Sequence, residues 1–375
     1  MGDVVELKPR KNKKVYIILA VLFVTTAVLV YINLVHSAYT KALNLNKTAI
    51  MSVEDSGYIF QKNGKNVVAC GHDGVTVIDK NGEILWKKDF GTNTPLMVSS
   101  GDYILCADLN GNSYTIFSDS GKQIVKNKTP YEIITASVNE NGYHAIATKE
   151  RGYKSRVLVN DLKGEQVFAW HSTKYHVISL AVANNNSGMI VSVFDAEGGE
   201  DGAFKTLYFS FGKDAPVEIE SGSKNLVANL KAVGNRIYAA GDTAFYAYNE
   251  NGKKVFNIDF SGRTLQRYSV TETSVALALT KTSVEGYYGG SVVEIYSASG
   301  YKKGSFEVED EIIFLDTEEN KILVNSPEGA YILSDNGRLY GNLTFGNEVR
   351  AGLIFSGGKK LLLVNGSNVN VYDAK

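Results

Sequence analysis

From about residue 47 onward, apolar runs of four to six residues alternate with short polar turns. One turn recurs: Asp79-Lys80-Asn81-Gly82, Asp161-Leu162-Lys163-Gly164, Asn249-Glu250-Asn251-Gly252 and Ser334-Asp335-Asn336-Gly337. An Asp, Asn or Ser side chain can bond the backbone two residues on, and a closing Gly accepts a left-handed conformation, so each segment reads as a type I turn inside a hairpin. The apolar run before each turn mixes aromatic and β-branched residues, as in Val75-Thr76-Val77-Ile78 and Tyr114-Thr115-Ile116-Phe117. The run before that is nearly all apolar (Ile104 to Ala107, Ile237 to Ala240, Leu361 to Val364), the pattern of a strand covered on both faces. The run after each turn is more polar and carries Lys, as in Glu83-Ile84-Leu85-Trp86-Lys87-Lys88, which suits an outermost strand that must resist edge pairing.

Gly82, Gly121, Gly164, Gly212, Gly252, Gly300 and Gly337 close these turns, with spacings of 39, 43, 48, 40, 48 and 37 residues. Strand signals alone at a period near 40 predict the blades of a β-propeller, four antiparallel strands each. The last unit ends at Asn368-Val369-Asn370-Val371-Tyr372-Asp373, where its turn should begin, so its fourth strand is missing. The first unit starts near Tyr58 and leaves Thr48 to Val53 without a blade. We therefore expect that N-terminal strand to complete the last blade and latch the ring, giving an all-β, eight-bladed propeller over residues 47–375, with seven blades as the alternative.

Ahead of the propeller, Val15 to Val35 is uncharged over 21 residues. As a helix it would run roughly 32 Å, enough for a bilayer core of about 30 Å. Residues 1–14 carry Lys8, Arg10, Lys11, Lys13 and Lys14 against Asp3 and Glu6, a local charge of +3. Basic flanks stay in the cytoplasm, so a signal anchor at 15–35, a linker at 36–46 and an extracytoplasmic propeller at the cell membrane are expected. A cleaved signal peptide is the alternative. Against it stand the length of the apolar stretch and His36, which spoils a small-residue cleavage site before Ala38.

The overall charge of -1 leaves no basic stripe for nucleic acid. The two cysteines, Cys70 and Cys106, occupy matching places in successive units, Val67-Val68-Ala69-Cys70 and Tyr103-Ile104-Leu105-Cys106. Matching positions in neighbouring repeats lie too far apart for a disulfide, so two buried free thiols are expected.

The segment Asp73-Gly74-Val75-Thr76-Val77-Ile78-Asp79-Lys80-Asn81-Gly82-Glu83-Ile84-Leu85-Trp86 resembles the quinoprotein-type propeller repeat, D-G-x-x-x-x-[LI]-D-x-x-x-G-x-x-x-W. Trp86 keeps the tryptophan position, while Val125, Phe168, Phe256, Phe306 and Tyr340 stand near it in other units. The layout of basic tail, single anchor and outside propeller resembles an uncharacterised family of single-pass membrane proteins from Firmicutes. Quinoprotein-like propellers also include the outer-membrane assembly lipoprotein BamB, a scaffold without catalysis. This chain has no lipobox cysteine, so that mode of anchoring is excluded.

Quinone-dependent dehydrogenases of this fold resemble one another in a vicinal cysteine pair and a calcium site, and this chain has no adjacent cysteines. His36, His72, His144, His171 and His176 show no metal-ligand spacing, and there is no G-x-S-x-G elbow or Gly-rich phosphate loop. The loop Asp195-Ala196-Glu197-Gly198-Gly199-Glu200-Asp201-Gly202 is acidic but matches no EF-hand, and reads as a solvated loop or a Ca²⁺ site. No catalytic, cofactor or metal residues are assigned.

The second-to-third-strand loops of blades 3, 4 and 6 are lengthened, at Lys149 to Ser155, Asp195 to Lys205 and Lys281 to Gly290. In a propeller these emerge on one face. The candidate partner surface is Tyr287 and Tyr288 with Asp195, Glu197, Arg151 and Tyr153, because exposed aromatics dominate interface energetics. The expectation is a non-catalytic, membrane-tethered scaffold for an envelope protein or polymer. The alternatives are an extracellular glycan- or peptide-directed hydrolase or lyase with its site in the propeller channel, and a permanent component of a larger membrane complex.

Overall fold

The computed structural model describes residues 21–30, 47–53, 57–198, 203–213, 215–219, 225–281, 289–327, 329–344 and 349–373. Its strands assemble into eight four-stranded antiparallel sheets. Blade 1 comprises Ile59–Asn63, Asn66–Gly71, Gly74–Ile78 and Ile84–Asp89 in order. Its second and third strands are almost wholly buried, and its Lys-bearing fourth strand is exposed. The expected gradient from apolar centre to charged rim is present, and blades 2 to 7 repeat the order.

The recurring turn works as its sequence implies. Asp79 Oδ1 accepts the amides of Asn81 and Glu83, both at 2.8 Å, and Gly82 N donates to Asp79 O. Asp161 and Asn249 do the same in their blades, while Ser334 Oγ accepts Arg338 N and donates to Asn336 Oδ1. The closing glycine is needed for space as well as for its φ. A Cβ on Gly121, at φ 81°, would lie 2.8 Å from the Trp86 ring of the preceding blade, whose Nε1 donates to Asp119 O at 2.8 Å. Phe256 stands against Gly300 in the same way. In these two joints the tryptophan position of the repeat docks one blade's rim onto its neighbour's turn. Blade 4 departs from the pattern: Gly212 does not adopt a left-handed φ, the turn closes through Lys213 N on Ser210 O, and the outer strand shrinks to Val217–Ile219.

Eight apolar clusters fill the joints between adjacent blades. The one between blades 8 and 1 depends on the latch. Blade 8 is built from Val349–Ile354, Lys360–Asn365 and Asn368–Asp373, and its outer strand is Lys47–Ser52, antiparallel to Asn368–Asp373. Val53 is buried beside Phe60, Leu353 and Val371, Ile50 and Met51 pack on the same cluster, and Val53 N donates to Ser367 O at 2.7 Å. Eight blades, not seven, close the ring, and the expected strand closes it.

One expectation lies mostly outside the described residues, and one needs correction. Of the segment 15–35, only residues 21–30 are described; they are helical and exposed, and no helix among the described residues is long and apolar enough to cross a membrane. The cysteines are buried and free, as expected, but they are not at matching positions. Strand pairing aligns Asn66 with Tyr103, each next to its turn, so Cys106 matches Ala69 and lies one step out of register with Cys70. Side chains alternate faces along a strand, so that single step turns Cys70 and Cys106 toward each other across the joint between blades 1 and 2. The hydrogen bond that the Cys106 thiol gives to Cys70, together with burial, pushes the Cys106 thiol well above its ordinary range.

Blade 6 holds the most constrained carboxylate. Glu294 is 6% exposed and receives Arg263 Nη1 at 3.1 Å, Lys302 Nζ at 2.7 Å and the Tyr296 hydroxyl at 2.6 Å. Burial pushes its pKa up, but these donors outweigh burial and hold it at about 2, against an ordinary 4.5. A carboxylate held down by folding stabilises fully above its unfolded pKa and loses that contribution as pH falls toward its folded value. Glu294→Gln should therefore lower the thermal midpoint at pH 7 and flatten the wild type's loss of stability between about pH 4.5 and 2, measured by circular dichroism. The latch makes a larger demand. Removing residues 47–53 from the chain leaves an open edge and an uncovered joint, which should cost about 3–6 kcal/mol and lower the midpoint by roughly 10 °C, and an unchanged midpoint would rule out closure by this strand.

Candidate functional site

The inner strands Ile59–Asn63, Pro95–Ser100, Ile133–Val138, Tyr175–Val182, Val227–Val233, Leu265–Val270, Phe314–Glu318 and Val349–Ile354 surround a central channel. Its cavity is about 600 Å³. Hydroxyls join neighbouring inner strands: Ser137 Oγ accepts Val182 N, Ser179 Oγ accepts Leu230 N and Ser269 Oγ accepts Thr317 N, at 3.3, 3.0 and 3.0 Å. Between blades 7 and 8 the same link is made by a carboxylate, with Asp316 Oδ2 accepting Ile354 N at 2.8 Å.

That substitution brings a buried charge, and the charge is answered across the ring. Lys62 Nζ, from blade 1, reaches past blade 8 to Asp316 Oδ1 at 3.2 Å, Glu318 Oε2 at 2.8 Å and Thr317 O at 2.5 Å. Burial alone would lower the Lys62 pKa, but the Asp316 and Glu318 carboxylates overcome it and hold it above its usual value. One ammonium between two carboxylates leaves the deeper acid resisting ionisation, and burial pushes Asp316 up against the pull of Lys62. The two carboxylate oxygens lie no more than about 6 Å apart, a separation seen in glycosidases. Lys62, however, sits between them, and Asp316 is tied to the Ile354 backbone. The arrangement is a clasp joining blades 1, 7 and 8.

Blade 5 faces blade 1 across the ring and contributes Asn229 and Lys231 to the lining. The Tyr268 hydroxyl of blade 6 donates to Asn229 Oδ1 at 2.5 Å. Lys231 is exposed to the channel; the surrounding walls lower its pKa, Asp316 opposes that effect and the Lys62 charge adds to it. These charged residues lie near the first-to-second-strand turns: Lys62 pairs with Val67 beside the turn at Gly64, Glu318 pairs with Lys321, and Lys231 precedes Gly234 by three residues. They occupy the end of the channel opposite the long loops.

On the insertion face, Arg151 and Tyr153 are exposed on the loop before Ser155–Asn160. The Tyr153 ring stands edge-on to His171 at 5.1 Å, and His171 Nδ1 lies 3.0 Å from Glu150 Oε2, with Arg156 nearby at 3.7 Å. Glu197 is exposed on the blade 4 loop. Asp195 is not: at 2% exposure it accepts Glu197 N and pairs with Lys174 Nζ at 3.1 Å, so it shapes the base of the loop. Tyr287, Tyr288 and residues 199–202 of the acidic loop lie outside the described residues. Among the described residues no cluster of three or more His, Cys, Asp or Glu side chains is placed to hold a metal.

Lys62, Asp316, Glu318 and Lys231 were not singled out from sequence. The available signal was a charge inside an inner strand, in Phe60-Gln61-Lys62, Leu230-Lys231-Ala232 and Leu315-Asp316-Thr317, at places where other blades carry Ser.

Among solved structures, the chain is similar to the C-terminal WD40 domain of Sif2, with TM-score 0.63, 10% identity, and 90% of this chain and 99% of that one covered. It is also similar to BamB from Moraxella catarrhalis (TM-score 0.54, 14% identity, 88% and 98% covered) and to the computationally designed Ika8 protein (TM-score 0.60, 14% identity, 87% and 99% covered). At these identities the likeness is one of fold. No curated protein matches the chain by sequence. The sequence profile of one family spans residues 35–373, almost the whole described propeller, and the chain belongs to it: the family of unknown function DUF5711.

Proposed function

We propose that this chain is a membrane-anchored, extracytoplasmic propeller that serves as a non-catalytic binding scaffold for an envelope protein or polymer. The observation that carries this reading is how the channel carboxylates are used. Asp316 and Glu318 are the pair a glycan-directed enzyme would need, and both are engaged by Lys62, with Asp316 also holding Ile354 N. A general acid must be able to give its proton to a substrate, and a nucleophile must be free to reach one. Neither condition is met inside the clasp.

Exposed, chemically varied side chains gather at the long loops. Arg151, Tyr153 and His171 stand exposed on blade 3, and Lys174 and Glu197 stand exposed at the adjoining blade 4, where Lys174 pairs with Asp195. An aromatic ring with flanking charges of both signs suits recognition of a folded protein or a charged polymer. The apolar segment 15–35 and its basic flank support the membrane address.

A photo-crosslinking residue in place of Tyr153, with a control at Asn251 on the opposite face, tests the reading in the native host. The expected result is one specific adduct from position 153, none from 251, and at least a fivefold loss of that adduct when Arg151→Glu is added. Equal capture from both positions, or none from either, would overturn the scaffold reading.

A further inference from the structure

Among the described residues, one channel-lining cation, Lys231, has no hydrogen bond or ion pair. Lys62 is fully engaged by Asp316, Glu318 and Thr317 O, and the channel hydroxyls of Ser137, Ser179 and Ser269 hold backbone amides of the next blade. Lys231, on the far wall, is exposed to the channel and makes no hydrogen bond or ion pair among the described residues.

Asn229 supplies the second half of a site. It lies two residues before Lys231 on the strand Val227–Val233, so both side chains face the lumen. The Tyr268 hydroxyl donates to Asn229 Oδ1, which fixes the amide and leaves its NH₂ group as a donor without a partner among the described residues. An ammonium and an amide NH₂ about 7 Å apart along one strand face form a two-point receptor for an anion. Among the described residues, the carboxylates lining the cavity are Asp316 and Glu318, and both are held by Lys62 on the opposite wall.

We propose that the channel binds a small organic anion, its carboxylate or phosphate group held by Lys231 and Asn229 on blade 5. A cavity of about 600 Å³ is the size of a small-molecule site and too narrow for a folded partner. The site enters from the first-to-second-strand face, opposite the long loops, so the proposal stands independently of any partner there.

Equilibrium dialysis of the full chain against radiolabelled citrate and, separately, inorganic phosphate at constant ionic strength tests it. One-to-one saturable binding of either probe is expected. Citrate alone would assign a carboxylate ligand, and phosphate alone a phosphorylated one. Lys231→Gln should weaken binding at least tenfold, and Lys231→Arg should keep it within threefold. A second measurement needs no variant: reductive methylation of Lys231 in the native chain, followed by mass spectrometry, should slow at least fivefold with the bound probe and not with equal sodium chloride. Absence of saturable binding for both probes, full binding by Lys231→Gln, or methylation indifferent to the probe would each overturn the site.

Discussion

The structure depends on a backbone ladder between the two ends of the domain. Lys47–Ser52 pairs with Asn368–Asp373, and until that pairing forms, blade 8 has an open outer edge and the joint between blades 8 and 1 has no Val53 to fill it. Every other joint links blades adjacent in sequence. Closure is the only step that requires the whole chain, so the loop entropy of the domain is concentrated in it. The ring form in turn places eight inner strands around a channel, and only that geometry lets Lys62 of blade 1 meet Asp316 of blade 7.

Within the ring, the same physical problem is solved in two ways. Inner strands lie too far apart at the axis for a backbone ladder, so single side chains link them: serines where a neutral hydroxyl suffices, and Asp316 between blades 7 and 8. A carboxylate at such a place must be neutralised, and Lys62 meets that need while bracing blade 1 against blade 7 past the latched blade. The apparent acid pair of the channel is therefore a consequence of closure. On the blade 5 wall, Lys231 makes no ion pair among the described residues.

The fold was legible in the sequence wherever a local rule dictates the backbone. Asp79, Asp161 and Asn249 announce their turns because their oxygens bond amides two and four residues on, and Ser334 because its hydroxyl oxygen bonds the amide four residues on. The missing fourth strand of the last unit exposed the latch because an unpaired edge has to be covered. Gly212 misled because a Gly in the right column need not be left-handed, and blade 4 turns at Lys213 instead. Cys70 and Cys106 misled through a one-residue error in register, which reverses the face of every side chain in a strand. The channel site was hidden for a related reason: a lone Lys in an apolar run does not reveal whether it faces a joint, solvent or the lumen until the ring is closed.

Hydrogen–deuterium exchange of the intact chain tests the central claim of closure most directly. If the latch holds the ring, amides of Lys47–Ser52 should be protected to the same degree as those of Lys360–Asn365, and both should become exposed together as denaturant is added. Exchange of the latch amides at the rate of an unstructured segment, with the other seven blades still protected, would contradict it.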